Sequence, residues 1–197
     1  MVLAACATPR VDNAAGRATV YQDPRSAGLV SGVGLGSQDF SAMSDELVRD
    51  LISRTDITRR ATSPRIIVDS VYFSNNSSQR MNKDIIINQM RADLQRAASR
   101  NLVFVGRAYS QMVQDERDLK RENVVDVASG NLARAQFGAD YRMGGTITSF
   151  DENSTRSGIS QRLTTVQLEL IDLETSEIIW IGTYTISKAG QEDVIYR

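Results

Sequence analysis

Two rhythms of apolar and polar positions run along this chain, and where neither is present the chain has nothing to bury. Up to about Ser37 the sequence is rich in Ala, Gly, Ser and Asp, with Pro9 and Pro24, and shows no period of 2 or 3.6. That stretch reads as a disordered tether. Regular spacing begins after Asp39 or Ser41, either of which can N-cap a helix over about 41 to 54 with Phe40, Met43, Leu47, Leu51 and Ile52 along one face. Ser63-Pro64 ends the following link. Residues 65 to 73 are β-branched and aromatic, as in a buried strand, and the Ser and Asn of 74 to 78 predict a loop.

The 3.6 period then returns. Ile87, Met90, Leu94, Ala97 and Ala98 form one stripe, with Arg91, Asp93, Gln95 and Arg96 off it. Leu102-Val103-Phe104-Val105 is a short apolar strand, reached from the first by a crossover or by an antiparallel return. Between Tyr109 and Glu122 the spacing predicts a charge-rich helix with a thin apolar face, in which Glu116 and Lys120 form a favourable pair one turn apart. Ser129 can cap a further short helix through Leu132 and Ala135 to Phe137, stopped by Gly138.

The last third alternates with period 2. A strand over 141 to 150 contains Gly144 and Gly145, which mark a bulge or a close approach. From Thr164 to Asp172, Val166, Leu168 and Leu170 point one way and Thr165, Gln167 and Glu169 the other. The polar run 174 to 177 turns the chain, and 178 to 186 returns as the partner strand of a long hairpin. The fold expected is α/β in the α+β sense: one small domain with a mixed, mostly antiparallel sheet flanked by helices.

Composition narrows the chemistry. Apolar residues make up 41% and charged residues 24%, enough for a core in one domain. Lys and Arg number 23 against 24 Asp and Glu, so no basic excess exists to neutralise a phosphate backbone, and nucleic acid is not an expected partner. There is no histidine and one cysteine, Cys6, which removes the commonest general base, the commonest metal ligand, disulfides and Cys clusters together. No catalytic residues, metal or cofactor are expected, and the chain is read as non-enzymatic.

Several residues nonetheless invite a functional reading. Gly32, Gly34 and Gly36 precede a helix as in a phosphate loop, but no strand precedes them and no Lys-Ser or Lys-Thr follows, so a hinge is the better account. Asp151, Glu152 and Asp172 could be paired carboxylates for glycan cleavage, although their places at strand ends and turns fit polar loop residues. Trp180 is either a core anchor of the last strand or an exposed docking residue, and the surrounding isoleucines favour the core. Tyr109, Arg117 and Arg121 lie where the core-facing stripe is thinnest. They are the candidate partner-binding residues, since aromatic and Arg side chains are enriched at interface hot spots; a solvated helix face is the plainer explanation.

Met1-Val2-Leu3-Ala4-Ala5-Cys6 carries Leu-Ala-Ala-Cys, which resembles the lipobox of bacterial lipoproteins. On this reading residues 1–5 are the remnant of a truncated signal peptide, 6–37 a tether lipidated at Cys6, and 38–197 the globular domain. Ala7, where an inner-membrane retention signal would put Asp, favours the outer membrane. Stable insertion takes more than one acyl chain, which a lipidated cysteine supplies. Lipobox, tether, helix, Ser-Pro-Arg-Ile-Ile-Val-Asp-Ser strand, Asn/Ser loop, amphipathic helix, Gly-Ala-Asp-Tyr strand and the Leu-Ile-Asp-Leu-Glu-Thr-Ser-Glu-Ile-Ile-Trp hairpin together resemble the LpoB family of penicillin-binding-protein activators. The hairpin and Gly-Ala-Asp-Tyr also recur in CsgG-type domains and the N-terminal domain of TolB.

The resemblance covers about residues 30 to 190. It implies a lipid-anchored protein on the periplasmic face of the outer membrane that docks on a bifunctional class A penicillin-binding protein and stimulates peptidoglycan synthesis. The tether is shorter and poorer in proline than that task suggests. The alternative is an accessory lipoprotein subunit of an envelope secretion or assembly complex of the CsgG type, which would need membrane-inserting strands that the sequence does not show.

Overall fold

Three strands of fourteen residues each, β4 (Tyr141–Ser154), β5 (Ile159–Asp172) and β6 (Ile178–Gln191), form an antiparallel meander that frames the domain. The computed structural model describes residues 19–26, 32–54, 56–127, 135–154 and 157–191. The period-2 pattern works as expected: Val166, Leu168 and Leu170 are buried, while Thr165, Gln167 and Glu169 on the other side stay half-exposed. At the β5–β6 turn Asp172 accepts backbone N–H bonds from Glu174 and Thr175, at 2.8 and 3.0 Å, and Ser176 takes a φ of 63°.

The other edge of β4 is parallel. Residues Arg65–Ile67 (β1) and Phe73–Asn76 (β2) both pair with it, and Val103–Phe104 (β3) pairs with β1, giving one six-stranded sheet in the order β3-β1-β4-β5-β6 with β2 alongside β4. Because β3 is parallel to β1, the connection between them is a crossover and the antiparallel return is excluded. The strand expected over 65 to 73 is corrected: it breaks after Ile67 and resumes at Phe73, and 74–76, expected as loop, is strand. Asp69 and Ser70 sit inside the apolar run and supply the polar groups that hold the break open.

Helices Ser37–Arg54 (α1) and Lys83–Ala98 (α2) cover one face of the sheet. The stripe expected on α1 is buried at Met43, Leu47 and Leu51, with Phe40 and Ile52 at its margin; on α2 it is Ile86, Ile87, Met90, Leu94 and Ala98, while Ala97 faces out. Burying an aliphatic side chain of this size is worth about 1.5–3 kcal/mol, so these stripes are a main source of the domain's stability. Ser44 donates to Asp93 at 2.5 Å and pins the two helices together.

The start of α1 differs from expectation. Gly36 occupies the cap, and neither Asp39 nor Ser41 precedes the helix. Asp39 lies in the first turn and accepts the Gly36 N–H at 2.7 Å, reaching back from inside the helix as the acidic member of a capping box does. Gly34 to Gly36 are held against the domain, with Leu35 in the core and its backbone bonded to Gln79.

Helix α3 (Ser110–Arg121) has no buried residue, which agrees with its thin apolar stripe, and Lys120 pairs with Glu116 at 3.1 Å. The short helix expected from Ser129 falls mostly outside the described residues; the described part, 135–138, is not helical.

Candidate docking face

The break between β1 and β2 builds the most distinctive surface feature. Ile67 is registered on Arg142 and Phe73 on Gly145, so five residues, 68–72, span what two residues, 143 and 144, span on β4. The surplus chain loops off the sheet as an enlarged bulge, a device that re-aims side chains. Val71 and Tyr72 at its tip are 66% and 64% exposed.

This tip is rigidly held. Arg142 donates twice from Nη2 to the Asp69 carboxylate, at 3.0 and 2.8 Å, with both side chains mostly buried, and its guanidinium lies 4.6 Å from the centre of the Tyr72 ring. Ser70 donates to Asp84, and Lys83 donates to the Phe73 carbonyl at 2.6 Å. Gly145 donates its N–H to the Tyr72 carbonyl at 2.9 Å. Gly144 lies beneath: a Cβ there would come within 3.1 Å of the Tyr72 carbonyl oxygen, so the close approach foreseen for the two glycines occurs, without a bulge in β4. Holding exposed apolar side chains in a fixed geometry cuts the entropy lost on binding, which is what an interface anchor needs.

Beside the knob the outer face of the sheet is nearly free of charge. Ser74, Thr146, Thr148, Gln167, Thr165, Thr183 and Thr185 share it with exposed Phe150, Leu163 and Ile181. A groove of about 340 Å³ runs between the knob and this face, lined among others by Tyr72, Gly144, Thr146, Gln167 and Glu169. A second hollow, about 550 Å³, lies between the outer sides of α1 and α2, where Asp93 and Arg96 are paired at 2.7 Å.

None of the residues singled out in or just before α3 lines the groove. Tyr109 is 54% exposed just before the helix, Arg117 is half-buried, and Arg121 lies 3.9 Å from Asp118. Cys6 lies outside the described residues. The break was legible only as Asp69-Ser70 interrupting an apolar run opposite Gly144-Gly145, a pairing of signals far apart in sequence.

The carboxylates expected as polar loop and turn residues lie in strand instead, Asp151 and Glu152 within β4 and Asp172 as the last residue of β5, because the β4–β5 ladder runs four residues past the strand expected to end at Phe150. Asp151 and Asp172 stand at opposite ends of the β4–β5 ladder, Asp151 against Arg162 and Asp172 against Tyr141. Ten residues of strand separate the two rungs by about 33 Å, far beyond any glycosidase pair. Hydrogen bonds from Ser78 and Arg162 hold the Asp151 carboxyl below the usual range, and the backbone N–H groups of Thr175 and Glu174 do the same for Asp172. Both are therefore bases already spent on structure. Trp180 is a core anchor, 5% exposed, with its indole N–H on Asp50 at 2.9 Å. Among the described residues no cluster of His, Cys, Asp or Glu could hold a metal, and no helix is long and apolar enough to cross a membrane.

Comparison with known proteins agrees with the resemblance read from the sequence. The C-terminal domain of LpoB from Salmonella enterica is similar at 19% identity and a TM-score of 0.47, covering 75% of this chain and 98% of that one. The corresponding domain from Escherichia coli gives 18% identity and a TM-score of 0.45, with 76% and 99% covered. No curated protein matches the chain. The family model described as peptidoglycan-synthase activator LpoB matches residues 39–186, and the chain belongs to that family.

Proposed function

We propose that this protein is an outer-membrane lipoprotein, anchored through acylated Cys6, that binds a bifunctional class A penicillin-binding protein from the periplasmic side and raises its synthetic activity. The observation that carries this reading is the family match over residues 39–186. Activation works by differential binding: contact with the active state of the synthase, made better than contact with the inactive one, shifts its population. The knob of Val71 and Tyr72 is the anchor of that contact, with Tyr109, Arg117 and Arg121 as a separate, outlying candidate surface.

The experiment is a pull-down from detergent-solubilised envelope with the chain as bait, followed by glycan-polymerisation assays on the recovered synthase. Wild type stimulates polymerisation, and Val71→Ser with Tyr72→Ala loses at least about tenfold in affinity, as expected for a hot-spot pair. Recovery of a pore or secretin ring without a synthase overturns the reading in favour of an assembly subunit. For the anchor, Cys6→Ala moves the protein from the membrane to the soluble periplasmic fraction; unchanged membrane fractionation refutes lipidation.

A further inference from the structure

We propose that the groove between Tyr72 and the outer face of β4–β5 is a binding site for a neutral saccharide. This goes beyond synthase docking, because it assigns the chain a ligand of its own. Three observations carry it.

The groove has an aromatic wall and apolar neighbours beside a residue that carries no side chain. Its volume of about 340 Å³ is at the small end of ligand pockets, Gly144 leaves its floor without a side chain, and Val71, Tyr72 and Ile171 give apolar walls. Arg142, itself tied to Asp69, fixes the Tyr72 ring, so the aromatic wall exists before any ligand arrives.

Its polar groups converge without excess charge. The hydroxyls of Ser74 and Thr146 bond each other at 3.0 Å, and Gln167 Nε2 donates to Glu169 Oε1 at 2.8 Å. Each hydroxyl retains further hydrogen-bonding capacity, the amide keeps an N–H and its oxygen, and the carboxylate keeps its second oxygen. Glu169 is the single charged residue of the lining and is already engaged. Such a set suits a ligand with hydroxyl and amide edges and an apolar C–H face, and offers nothing to an anion.

A peptide strand is poorly served. The β4 backbone at Gly145 is paired on both sides, with Phe73 of β2 and Leu168 of β5, so a peptide main chain cannot add to β4 there. Recognition at that point of the groove comes from side chains, as for a sugar.

The test is an amide-resolved NMR titration of the purified chain, without synthase, using a neutral β-1,4-linked N-acetylglucosamine tetramer. Saturable shifts are expected at Gly144, Gly145, Thr146 and Gln167. Tyr72→Ala weakens binding about tenfold, the worth of one stacked aromatic. Thr146→Val, isosteric but without the hydroxyl, weakens it by about threefold to tenfold, and Glu169→Gln, which exchanges one acceptor oxygen for an amide NH2, also weakens it. Absence of shifts in the groove, or shifts confined to another face, overturns the proposal. So does binding of Nα-acetyl-lysine amide, whose ε-ammonium is free, that Glu169→Gln removes, which would make the site a cation site. Since no synthase is present, these failures leave the activation reading standing, and loss of activation leaves the saccharide result standing.

Discussion

Arg142 and Asp69 face each other across the gap in the parallel edge, 73 residues apart in sequence, joined by two hydrogen bonds of 3.0 and 2.8 Å with side chains only 19% and 14% exposed. The pair holds the loop that would otherwise swing free of the sheet, and the guanidinium in turn supports Tyr72. Removing one partner leaves the other desolvated and unpaired. Asp69→Asn is expected to cost about 1–3 kcal/mol, less than a fully buried pair because some water reaches it. Urea denaturation measures this. The same variant is expected to lower synthase activation more than Tyr109→Ala does, and equal activation by both would detach the knob from function.

Gln79 binds both backbone polar groups of Leu35, taking its N–H at 2.7 Å and donating to its carbonyl at 3.1 Å. With Lys188 on the Gly34 carbonyl at 3.0 Å, it clasps the segment that leads into α1. Gln79→Ala is expected to destabilise by about 1–2 kcal/mol and to speed amide exchange at Leu35 selectively. Exchange at Leu35 that tracks only global unfolding would show the clasp to be idle.

Trp180 and Gly182 are coupled through one contact. A Cβ at residue 182 would strike the six-membered part of the Trp180 ring and lie 3.0 Å from Leu47 Cδ2. Gly182→Ala is expected to cost about 1–3 kcal/mol by overpacking. Trp180→Phe costs about 1–2 kcal/mol through the lost indole bond to Asp50, even before the loss of packing. Phenylalanine lacks the ring atoms that the new methyl strikes, so the double variant should be less damaged than the sum of the singles. A double-mutant cycle by thermal denaturation decides this, with simple additivity the contrary result.

Acid should unfold the domain through carboxylates whose folded pKa is depressed. Asp151 is held down by Ser78 and Arg162, and Asp172 by the N–H groups of Thr175 and Glu174. The unfolded chain then takes up protons first, so their contribution is complete above the ordinary carboxylate range near about pH 4 and is lost as pH falls through the folded values. Asp151→Asn and Asp172→Asn should each flatten the acid limb of a stability-against-pH curve. An unchanged limb in both would mean that other groups govern acid unfolding.

The elements with long, unmixed periodicity were legible in advance. The stripes of α1 and α2, the alternation of β5 and the turn at 174 to 177 rest on interactions within a few residues, and the burial of Trp180 followed from its isoleucine neighbours. The helix start was displaced by a few residues because Asp39 caps from the first turn, a choice settled by the Gly36 backbone and by Lys188 from the far end of the chain. β1 and β2 were merged into one strand because an apolar run states burial and leaves pairing open.

What the amino-acid order determined by itself is the inventory: an α+β domain, the helices α1, α2 and α3, a long hairpin, no histidine, and one cysteine in a lipobox-like setting. Local propensity and periodicity suffice for these, since each depends on neighbours within a turn or a strand. Only the tertiary structure decided that the parallel edge breaks, that Arg142 meets Asp69 there, and that a tyrosine is held upright beside a bare, hydroxyl-rich sheet. Those features arise from pairings between residues some 70 positions apart, and no local pattern encodes which distant strand a segment will lie against.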